Sequence, residues 1–429
     1  MKVLFKGGRV YSEGRIAPLD ILVDGPRIAA LGPHLEAPDA HLERVDDKIV
    51  APGLVDMHVH FREPGREEKE TVESGSRAAV RGGFVAVGVM PNTAPPIDTP
   101  EGVRYQLERQ SLCRILPIAC ITVAQKGEAL TDLAALKAAG AVAFSDDGRC
   151  VMNADLMRRA LAQAKALDVP MIGHEEDHHL TVGGAANEGE HAARQNIPGM
   201  PIAAEDIIVA RDILLAEATG GRMHVAHLSS ARSVAMIREA KRRGISVTAE
   251  VTPHHLLLTD AELSRQDAHY KMNPPLRTER DRQALIEGLA DTTIDAIATD
   301  HAPHTSAEKT VPFSQAAFGV IGVETALPVL LDRLVRPGLI SLERLIDALS
   351  TAPARILGTD LGEIAVGRPA CLTVLDLDAE ETIEPGRFES KSRNTPFEGW
   401  TVRGLPVLTM VDGRVVMRGR QVLSLLGAC

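Results

Sequence analysis

The stretch APGLVDMHVHFREPG, residues 51–65, carries two histidines one residue apart in an apolar run. Because side chains alternate between the two faces of a β-strand, His58 and His60 are expected on one face and Met57 on the other. Two imidazoles at the end of a strand can bind one metal ion, although packed core histidines give the same pattern. The rest of the chain has to decide between a metal site and a structural pair.

The bulk composition indicates a large globular protein. With 429 residues and 45% hydrophobic content, the chain can form one large α/β domain and a smaller one. A net charge of -11 and 3% aromatic residues argue against nucleic-acid binding. The five cysteines form no C-x-x-C pair, which favours reduced thiols in the cytoplasm. We expect no signal peptide and no membrane span, since no run of about 18 apolar residues occurs.

The middle of the chain alternates between strand-like and helix-like patterns. Short apolar runs predict strands in residues 54–60, 84–90, 114–122, 141–147, 169–174, 222–227, 245–251 and 294–300. Segments of helical period, such as residues 153–168 and 204–221, lie between most of them. Eight strands alternating with helices predict a TIM-like (β/α)8 barrel over residues 51–359.

Both ends of the chain have β-type alternation and glycine-containing turns such as VDGRV. Neither end has enough strands to form a stable sheet by itself. We therefore predict that residues 1–50 and 360–429 pair into one small, discontinuous, β-sandwich-like domain beside the barrel.

Polar residues stand at the ends of five predicted strands, where barrel enzymes place their functional groups. These residues are His58 and His60, Asp146 and Asp147, His174, His227, and Asp300 followed by His301. Burying imidazoles and carboxylates together costs several kcal/mol per charge unless they are paired or bound to metal. Because a single zinc takes only three or four protein ligands, the set favours two metal ions that share a carboxylate.

Several motifs in order resemble the bacterial, type I branch of dihydroorotase in the amidohydrolase superfamily. They are DMHVHFREPG, MPNTAP, FSDDG, GHEED, VAHLSS, EVTPHHL, KMNPPLR and IATDHAPH, and they extend over essentially the whole chain. The resemblance implies two Zn²⁺ ions, although cobalt or manganese would suit the same ligands. The first ion would be held by His58, His60 and Asp300, the second by His174 and His227. Asp147, rather than Asp146, would bridge them.

The activity implied by the resemblance is the reversible cyclisation of N-carbamoyl-L-aspartate to L-dihydroorotate with loss of water, a step of de novo pyrimidine (UMP) biosynthesis. A hydroxide between the metals would attack the ring carbonyl, with Asp300 as general acid and base. An arginine fork suits the spectator carboxylate. The implied substrate-binding residues are His60, Arg62, Asn92, Asn273, His304 and the backbone of Phe318 and Gly319. The sequence between His301 and Gly319 is too long for a plain barrel connection, and loops of this kind often act as lids.

Two other functions fit parts of the pattern. A hydantoinase-like or allantoinase-like cyclic amidohydrolase would share the barrel, but hydantoinases bridge their metals with a carboxylated lysine, and no lysine lies between Lys137 and Lys165. An inactive dihydroorotase-like scaffold for aspartate transcarbamoylase would typically lack the metal histidines. His254 and His255 are given a supporting role. Predicted partners are the small-molecule substrate, a second copy in a homodimer, and aspartate transcarbamoylase.

Overall fold

The computed structural model describes residues 2–423, and its centre is an eight-stranded parallel sheet. The barrel strands are Leu54–Val59, Phe84–Val89, Arg114–Ala119, Ala143–Ser145, Met171–Gly173, Met223–Val225, Val247–Val251 and Ala296–Ile297. Val59 pairs in parallel with His301, which returns the sheet to its first strand. The predicted (β/α)8 barrel is confirmed, with one strand in each of the eight predicted segments.

Helices follow most of the barrel strands and have recognisable start signals. The longer ones are Val72–Arg81, Pro100–Leu107, Leu133–Ala139, Ala154–Leu167, Ala203–Thr219, Ala231–Arg242 and Glu279–Ala290. Thr71 and Ser74 form a capping box at the first of them, and Asn153 accepts hydrogen bonds from two backbone N–H groups of the fourth. Among residues 2–423, no helix has the length and apolar character needed to cross a membrane.

Shorter helical pieces occupy the loops and the region after the last strand. The α-helical ones are Glu190–Arg194, Pro253–Leu257, Ser306–Lys309, Ala326–Leu330, Leu342–Ile346 and Ala352–Ile356. Leu331–Val335 and Asp347–Thr351 are π-helical. The 3-10 turns are Val123–Gln125, Asp260–Arg265, Ala268–Tyr270, Phe313–Gln315 and Pro385–Arg387. Strands Ala186–Asn187 and Gly199–Met200 form a small parallel pair in the loop after the fifth barrel strand.

The first barrel strand departs from simple alternation. We expected Met57 on the face opposite to His58, but Met57 packs with apolar residues of the other barrel strands while Val55 and Val59 join a different cluster. Between Asp56 and Val59, the first strand contains one more residue than the part of the neighbouring strand that pairs with it. Such a bulge re-aims side chains locally, so the period of two fails at Met57.

The chain ends form two sheets that share an apolar core. In spatial order, the smaller sheet contains Arg27–Gly32, Asp20–Asp24, Lys2–Lys6 and His41–Arg44. The larger contains Gln421–Val422, Arg414–Arg418, Thr401–Val411, Leu372–Thr382, Ile49–Pro52, Arg9–Ser12 and Arg15–Pro18. Phe5 of one sheet and Leu372 of the other belong to the same buried cluster.

This arrangement confirms the predicted β-sandwich-like domain built from both chain ends. Thr373 and Thr409 join it to the barrel, because their hydroxyls donate to the carbonyls of Gly83 and Val80 at 2.6 and 2.8 Å. The boundaries at residues 50 and 360 stay predictions. Met1 and residues 424–429, including Cys429, lie outside the described residues.

We expect Phe5→Ala to lower the free energy of unfolding by roughly 3–5 kcal/mol, because the ring is 1% exposed and its loss leaves a cavity between the two sheets. The matched control is Leu42→Ala in the same sheet, where the side chain is 47% exposed and the change should stay within about 0.5 kcal/mol. Urea unfolding of both variants measures the difference. Equal effects would contradict a shared core between the sheets.

Candidate metal centre

The carboxylate of Asp147 lies among four histidines at the carboxyl end of the barrel. Its Oδ1 is 3.2 Å from His58 Nε2, 3.6 Å from His174 Nδ1 and 3.7 Å from His227 Nε2. Its Oδ2 is 3.4 Å from His60 Nε2. His58 and His60 come from the end of the first barrel strand. Asp147, His174 and His227 each follow a different barrel strand. The structure therefore brings the predicted histidines together around one buried carboxylate.

Asp300 completes the predicted set from the end of the eighth strand. Its Oδ1 is 3.0 Å from His60 Nε2 and 3.6 Å from His58 Nε2. Two overlapping groups have ligand atoms within 4.8 Å of one another, namely His58 with Asp147 and His227, and His58 with His60 and Asp300. Either group could hold a cation, and the two groups share His58.

The ligand atoms themselves favour a cation. His58 Nε2, Asp147 Oδ1 and His227 Nδ1 are buried and make no hydrogen bond with any described residue. His58 Nε2 and Asp147 Oδ1 face each other at 3.2 Å, whereas the His227 nitrogen near Asp147 is Nε2. Unpaired buried polar atoms cost free energy, and nitrogen and carboxylate oxygen are good ligands for a divalent metal. The residues present therefore fit a metal ion.

The electrostatics of the cluster lead to the same conclusion. Burial opposes charge on His58, but the Asp147 carboxylate outweighs burial and holds the pKa of His58 well above its ordinary value. Burial is likewise outweighed at His174, where Asp147 and Glu176 raise the pKa to about 10. The pKa of Asp147 is held well below its usual range, because the positive charge of His58 overcomes the effect of burial. The buried carboxylates therefore favour positive charge in this site, and a bound metal ion would provide that charge.

Asp146 has a different environment, although it is the immediate neighbour of Asp147. Its Oδ1 accepts hydrogen bonds from the backbone N–H groups of Ile121 and Thr122 at 2.9 and 3.0 Å, and the Thr122 hydroxyl donates to its Oδ2. Both oxygens are therefore engaged in holding the end of the third strand. This leaves Asp147 as the aspartate that faces the histidines.

Glu250 is a buried acid that the sequence analysis missed. Its Oε1 is 2.8 Å from His58 Nδ1, and its Oε2 is 3.2 Å from His224 Nε2. Burial opposes its ionisation, but the hydrogen bonds from His224 and His58 lower the pKa of Glu250 to about 2. An ionised Glu250 fixes the tautomer of His58 so that Nε2 is free for a ligand. The one available signal was an acidic residue inside the apolar run ISVTAEV.

The predicted carboxylate-binding residues line the same mouth. Arg62 donates from Nε to Pro303 O at 3.3 Å, and its two terminal nitrogens make no hydrogen bond with the described residues. Burial lowers the pKa of Arg62 to about 10, so it stays charged at neutral pH. His304 Nε2 is 2.7 Å from the carbonyl oxygen of Phe318. Burial, followed by the charge of Arg62, lowers the pKa of His304 to about 3 and keeps it neutral.

The two predicted asparagines contact the metal-site residues directly. Asn92 Oδ1 is 2.8 Å from His60 Nδ1, and its Nδ2 donates to Asp147 Oδ2 at 3.4 Å. Asn273 donates from Nδ2 to Glu176 Oε2 at 2.6 Å. Asn273 Nδ2 also lies 3.3 Å from His174 Nε2. Both amides are therefore adjacent to metal-ligand candidates, and their role toward the substrate stays a prediction.

Gly319 lies where a larger residue would not fit. A Cβ at this position would be 2.7 Å from the Cβ of Ala302 and 3.1 Å from His304 Nε2, and its φ of +127° is strained for other residues. Its N–H donates to Lys271 O at 3.0 Å. The Gly319 N–H is thus engaged within the protein, and the contact of the Phe318–Gly319 backbone with the substrate ring stays a prediction.

The two histidines after the seventh strand differ in their contacts. His255 is bonded on both sides, with Nδ1 2.7 Å from the Thr252 hydroxyl and Nε2 3.0 Å from Pro274 O. It therefore holds the segment that carries Asn273. His254 is buried with an unpartnered Nε2, and burial lowers its pKa to about 4. The supporting role given to this pair stays a prediction.

Comparison with known proteins identifies close relatives. A family model described as "Dihydro-orotase-like" matches residues 47–233. The chain is 48% identical over 426 residues to the dihydroorotase of Halalkalibacterium halodurans, which covers 98% of this chain and 100% of the relative. It is 49% identical over 423 residues to the dihydroorotase of Geobacillus thermodenitrificans, with 97% and 99% coverage.

Solved structures with the same fold include more distant enzymes. The L-hydantoinase (dihydropyrimidinase) of Arthrobacter aurescens superposes with a TM-score of 0.89 at 27% identity, over 98% of this chain and 97% of that one. The D-hydantoinase (dihydropyrimidinase) of a Thermus species gives a TM-score of 0.83 at 27% identity, with 98% and 96% coverage. The sequence is thus far more similar to the dihydroorotases than to these hydantoinases.

The two neighbouring aspartates give a matched pair for a metal test. We expect Asp147→Asn to weaken metal affinity by at least about tenfold, because a charged ligand disappears from the centre of the cluster. Asp146→Asn should leave metal affinity near the wild-type value and lower stability by about 1 kcal/mol, since it loses the bond from Thr122. Metal analysis after equilibration with metal buffers, together with thermal unfolding, separates the two. The reverse pattern would assign the metal to Asp146.

Proposed function

This chain belongs to the dihydroorotase family, and we propose how its barrel mouth carries out the reaction. The chain is a dihydroorotase, a hydrolase that acts on a cyclic amide. The observation that carries the mechanism is the cluster of four histidines around Asp147. In the same mouth, the two terminal nitrogens of Arg62 have no hydrogen-bond partner among the described residues.

The reaction breaks and forms one amide bond. In the hydrolytic direction, the oxygen of water adds to a ring carbonyl of L-dihydroorotate, the carbon–nitrogen bond breaks, and the ring nitrogen takes up a proton. The product is N-carbamoyl-L-aspartate, and ring closure reverses each step with loss of water. The protein must therefore hold the ring carbonyl beside a nucleophilic oxygen and move one proton.

We assign one divalent ion to His58, His60 and Asp300, a second to His174 and His227, and the bridge between them to Asp147. When bound, such ions supply Lewis acidity toward water and toward the carbonyl oxygen. Glu250 keeps His58 in the tautomer that presents Nε2 to the site. Zinc is the metal that we propose, with two ions per chain.

Asp300 is proposed as the group that moves the proton. Burial opposes its ionisation, but the hydrogen bond from His60 and the charge of His58 hold the pKa of Asp300 below its ordinary value. It is therefore ionised at neutral pH and can accept a proton from water on a carboxylate oxygen. The same oxygen then gives that proton to the departing ring nitrogen.

Arg62 is proposed to bind the substrate carboxylate that takes no part in the chemistry. Its free terminal nitrogens form a fork that matches a carboxylate, and the Asn92 amide can add a hydrogen bond. His304 is proposed to line the same subsite, with its single N–H, on Nε2, directed at Phe318 O. Asn273 and the backbone of Phe318 and Gly319 are proposed to meet the ring amides, through groups other than the Gly319 N–H, which donates to Lys271 O. His60 contacts both Asn92 and Asp300, so it would join the metal site to the substrate.

The same contacts weigh against the alternative functions. Hydantoin and dihydrouracil carry no carboxylate, so a hydantoinase-like activity would leave the Arg62 guanidinium without a partner. The hydantoinase reading has support only from the distant structural relatives. An inactive scaffold is disfavoured because the chain keeps all six metal-binding candidates in one cluster.

Several finer proposals concern the cellular setting. The four cysteines of the described residues are free, which supports a cytoplasmic location. Ile207 and Leu214 are exposed on helix Ala203–Thr219, which would suit an interface with a second copy in a homodimer. An association with aspartate transcarbamoylase stays a prediction.

The substrate assignment is tested with a panel of cyclic amides. The metal-loaded wild type should open dihydroorotate and close carbamoyl aspartate, with little action on hydantoin or dihydrouracil. Arg62→Lys should raise KM for dihydroorotate by roughly 10- to 100-fold, because a point charge replaces a bidentate fork. Arg66→Lys, a few residues on and exposed, is the matched control and should leave KM unchanged. Activity on the uncharged amides alone would overturn the proposal, and activity on neither would favour a scaffold.

Replacement of Asp300 tests the proton transfer. Asp300→Asn should lower kcat by on the order of 10² to 10⁴ when compared at matched metal occupancy, since the amide cannot accept the proton. The control is Asp168→Asn, which removes a carboxylate that is 89% exposed and should retain wild-type turnover. A kcat of Asp300→Asn within about threefold of wild type would show that another group moves the proton.

A further inference from the structure

Asn394 belongs to a connection of the terminal domain that reaches the mouth of the barrel. The connection joins strands Leu372–Thr382 and Thr401–Val411 of the larger sheet. Asn394 is 2% exposed, so its side chain is shielded from water. A buried primary amide requires hydrogen-bond partners for both its nitrogen and its oxygen.

The partners of the Asn394 side chain all lie at the ends of one loop, residues 301–319. Its Nδ2 donates to the carbonyl oxygens of Ala302 and Gly319 at 3.0 and 3.1 Å. Its Oδ1 accepts from the N–H of His304 at 3.2 Å, and its own carbonyl accepts from the N–H of Ile321 at 3.0 Å. One side chain therefore joins the outgoing stem of the loop to the returning stem.

Both stems carry groups that we propose for substrate binding. His304 stands on the outgoing stem, and the Phe318–Gly319 backbone stands on the returning stem. The contact between His304 Nε2 and Phe318 O, at 2.7 Å, requires the stems to keep their spacing. A backbone hydrogen bond also joins the stems, from Ala302 N–H to Val320 O at 2.9 Å. Asn394 adds bonds to both stems from another part of the chain.

The interior of the loop has a separate attachment. Lys309 is buried, and its ammonium donates to the carbonyl oxygens of Ala268, Lys271 and Ala317 at 2.9, 3.1 and 2.8 Å. These bonds hold the loop against the segment that precedes Asn273. Loss of the Asn394 side chain would therefore leave the loop attached but would remove three of the hydrogen bonds that fix the spacing of its stems.

The connection also has anchors that do not involve the loop. The Ser390 hydroxyl donates to Glu70, and the Ser392 hydroxyl donates to Lys69 O at 2.9 Å. Lys391 N–H donates to Glu70 Oε1 at 3.2 Å. The connection would thus stay docked on the barrel in the absence of the Asn394 side chain, which makes the effect of that amide separable.

We propose that Asn394 is a positioning residue that sets the distance between His304 and the Phe318–Gly319 backbone, and thereby the fit of the carboxylated ring. This assignment rests on the proposed function, since it acts through groups assigned to the substrate. No other side chain of similar size supplies two donors and an acceptor in one plane. Aspartate keeps the shape and the acceptor but loses both donations.

The test compares Asn394→Asp with Ser392→Ala, which removes a buried side-chain-to-backbone bond in the same connection but not at the loop. Asn394→Asp should raise KM for dihydroorotate by about tenfold, with kcat within about threefold and metal content unchanged. Asn394→Ser, which keeps one donor, should give a smaller rise. Ser392→Ala should retain the wild-type KM.

Hydrogen exchange followed by mass spectrometry supplies a readout that needs no substrate. The peptide covering residues 301–321 should exchange about tenfold faster in Asn394→Asp than in wild type, with no change in Ser392→Ala. A wild type that fails to open dihydroorotate would overturn the proposed function. The exchange rates would still test whether Asn394 holds the two stems of the 301–319 loop together.

Four results would overturn the role of Asn394. They are an unchanged KM with unchanged exchange in Asn394→Asp, a joint loss of kcat and metal, an equal effect of Ser392→Ala, and failure of both Asn394 variants to fold. The last two would show that the residue supports the barrel in general and not the spacing of the loop stems.

Discussion

The burial of Asp147 among four histidines is the constraint on which the rest of the structure depends. A carboxylate within 3.7 Å of four imidazoles, all out of water, is tolerable only if charge is balanced within the cluster. His58 Nε2 and Asp147 Oδ1 have no hydrogen-bond partner among the described residues, so protein contacts alone do not complete that balance. A bound cation would satisfy these atoms. The residues that would bind it come from the ends of five separate strands.

The surrounding protein has the task of fixing these groups in place. Glu250 orients His58 from inside the barrel, while Asp56 accepts hydrogen bonds from the backbone N–H and hydroxyl of Thr299 at 3.1 and 2.5 Å, beside Asp300. The terminal domain contributes Asn394 at the stems of the substrate loop. The small domain is therefore connected to the mouth of the barrel through one of its own strand connections.

Much of this arrangement was predictable from sequence, because periodicity identifies strands and barrel topology gathers their ends. The eight strands and the six clustered metal candidates required no distance information. The bulge between Asp56 and Val59 was not predictable, since it arises from pairing with the next strand. Glu250 and Asn394 were missed because each acts on a residue far away in sequence, His58 or the 301–319 loop. Likewise, the separate tasks of Asp146 and Asp147 depend on which donors each meets in space.

The most direct test of the account is anomalous diffraction from crystals grown with zinc, measured on both sides of the zinc absorption edge. The account predicts two neighbouring anomalous peaks, one beside His58, His60 and Asp300 and the other beside His174 and His227, with Asp147 contacting both. A single peak, or peaks that Asp147 does not touch, would contradict the proposed role of this carboxylate as the shared ligand at the centre of the site.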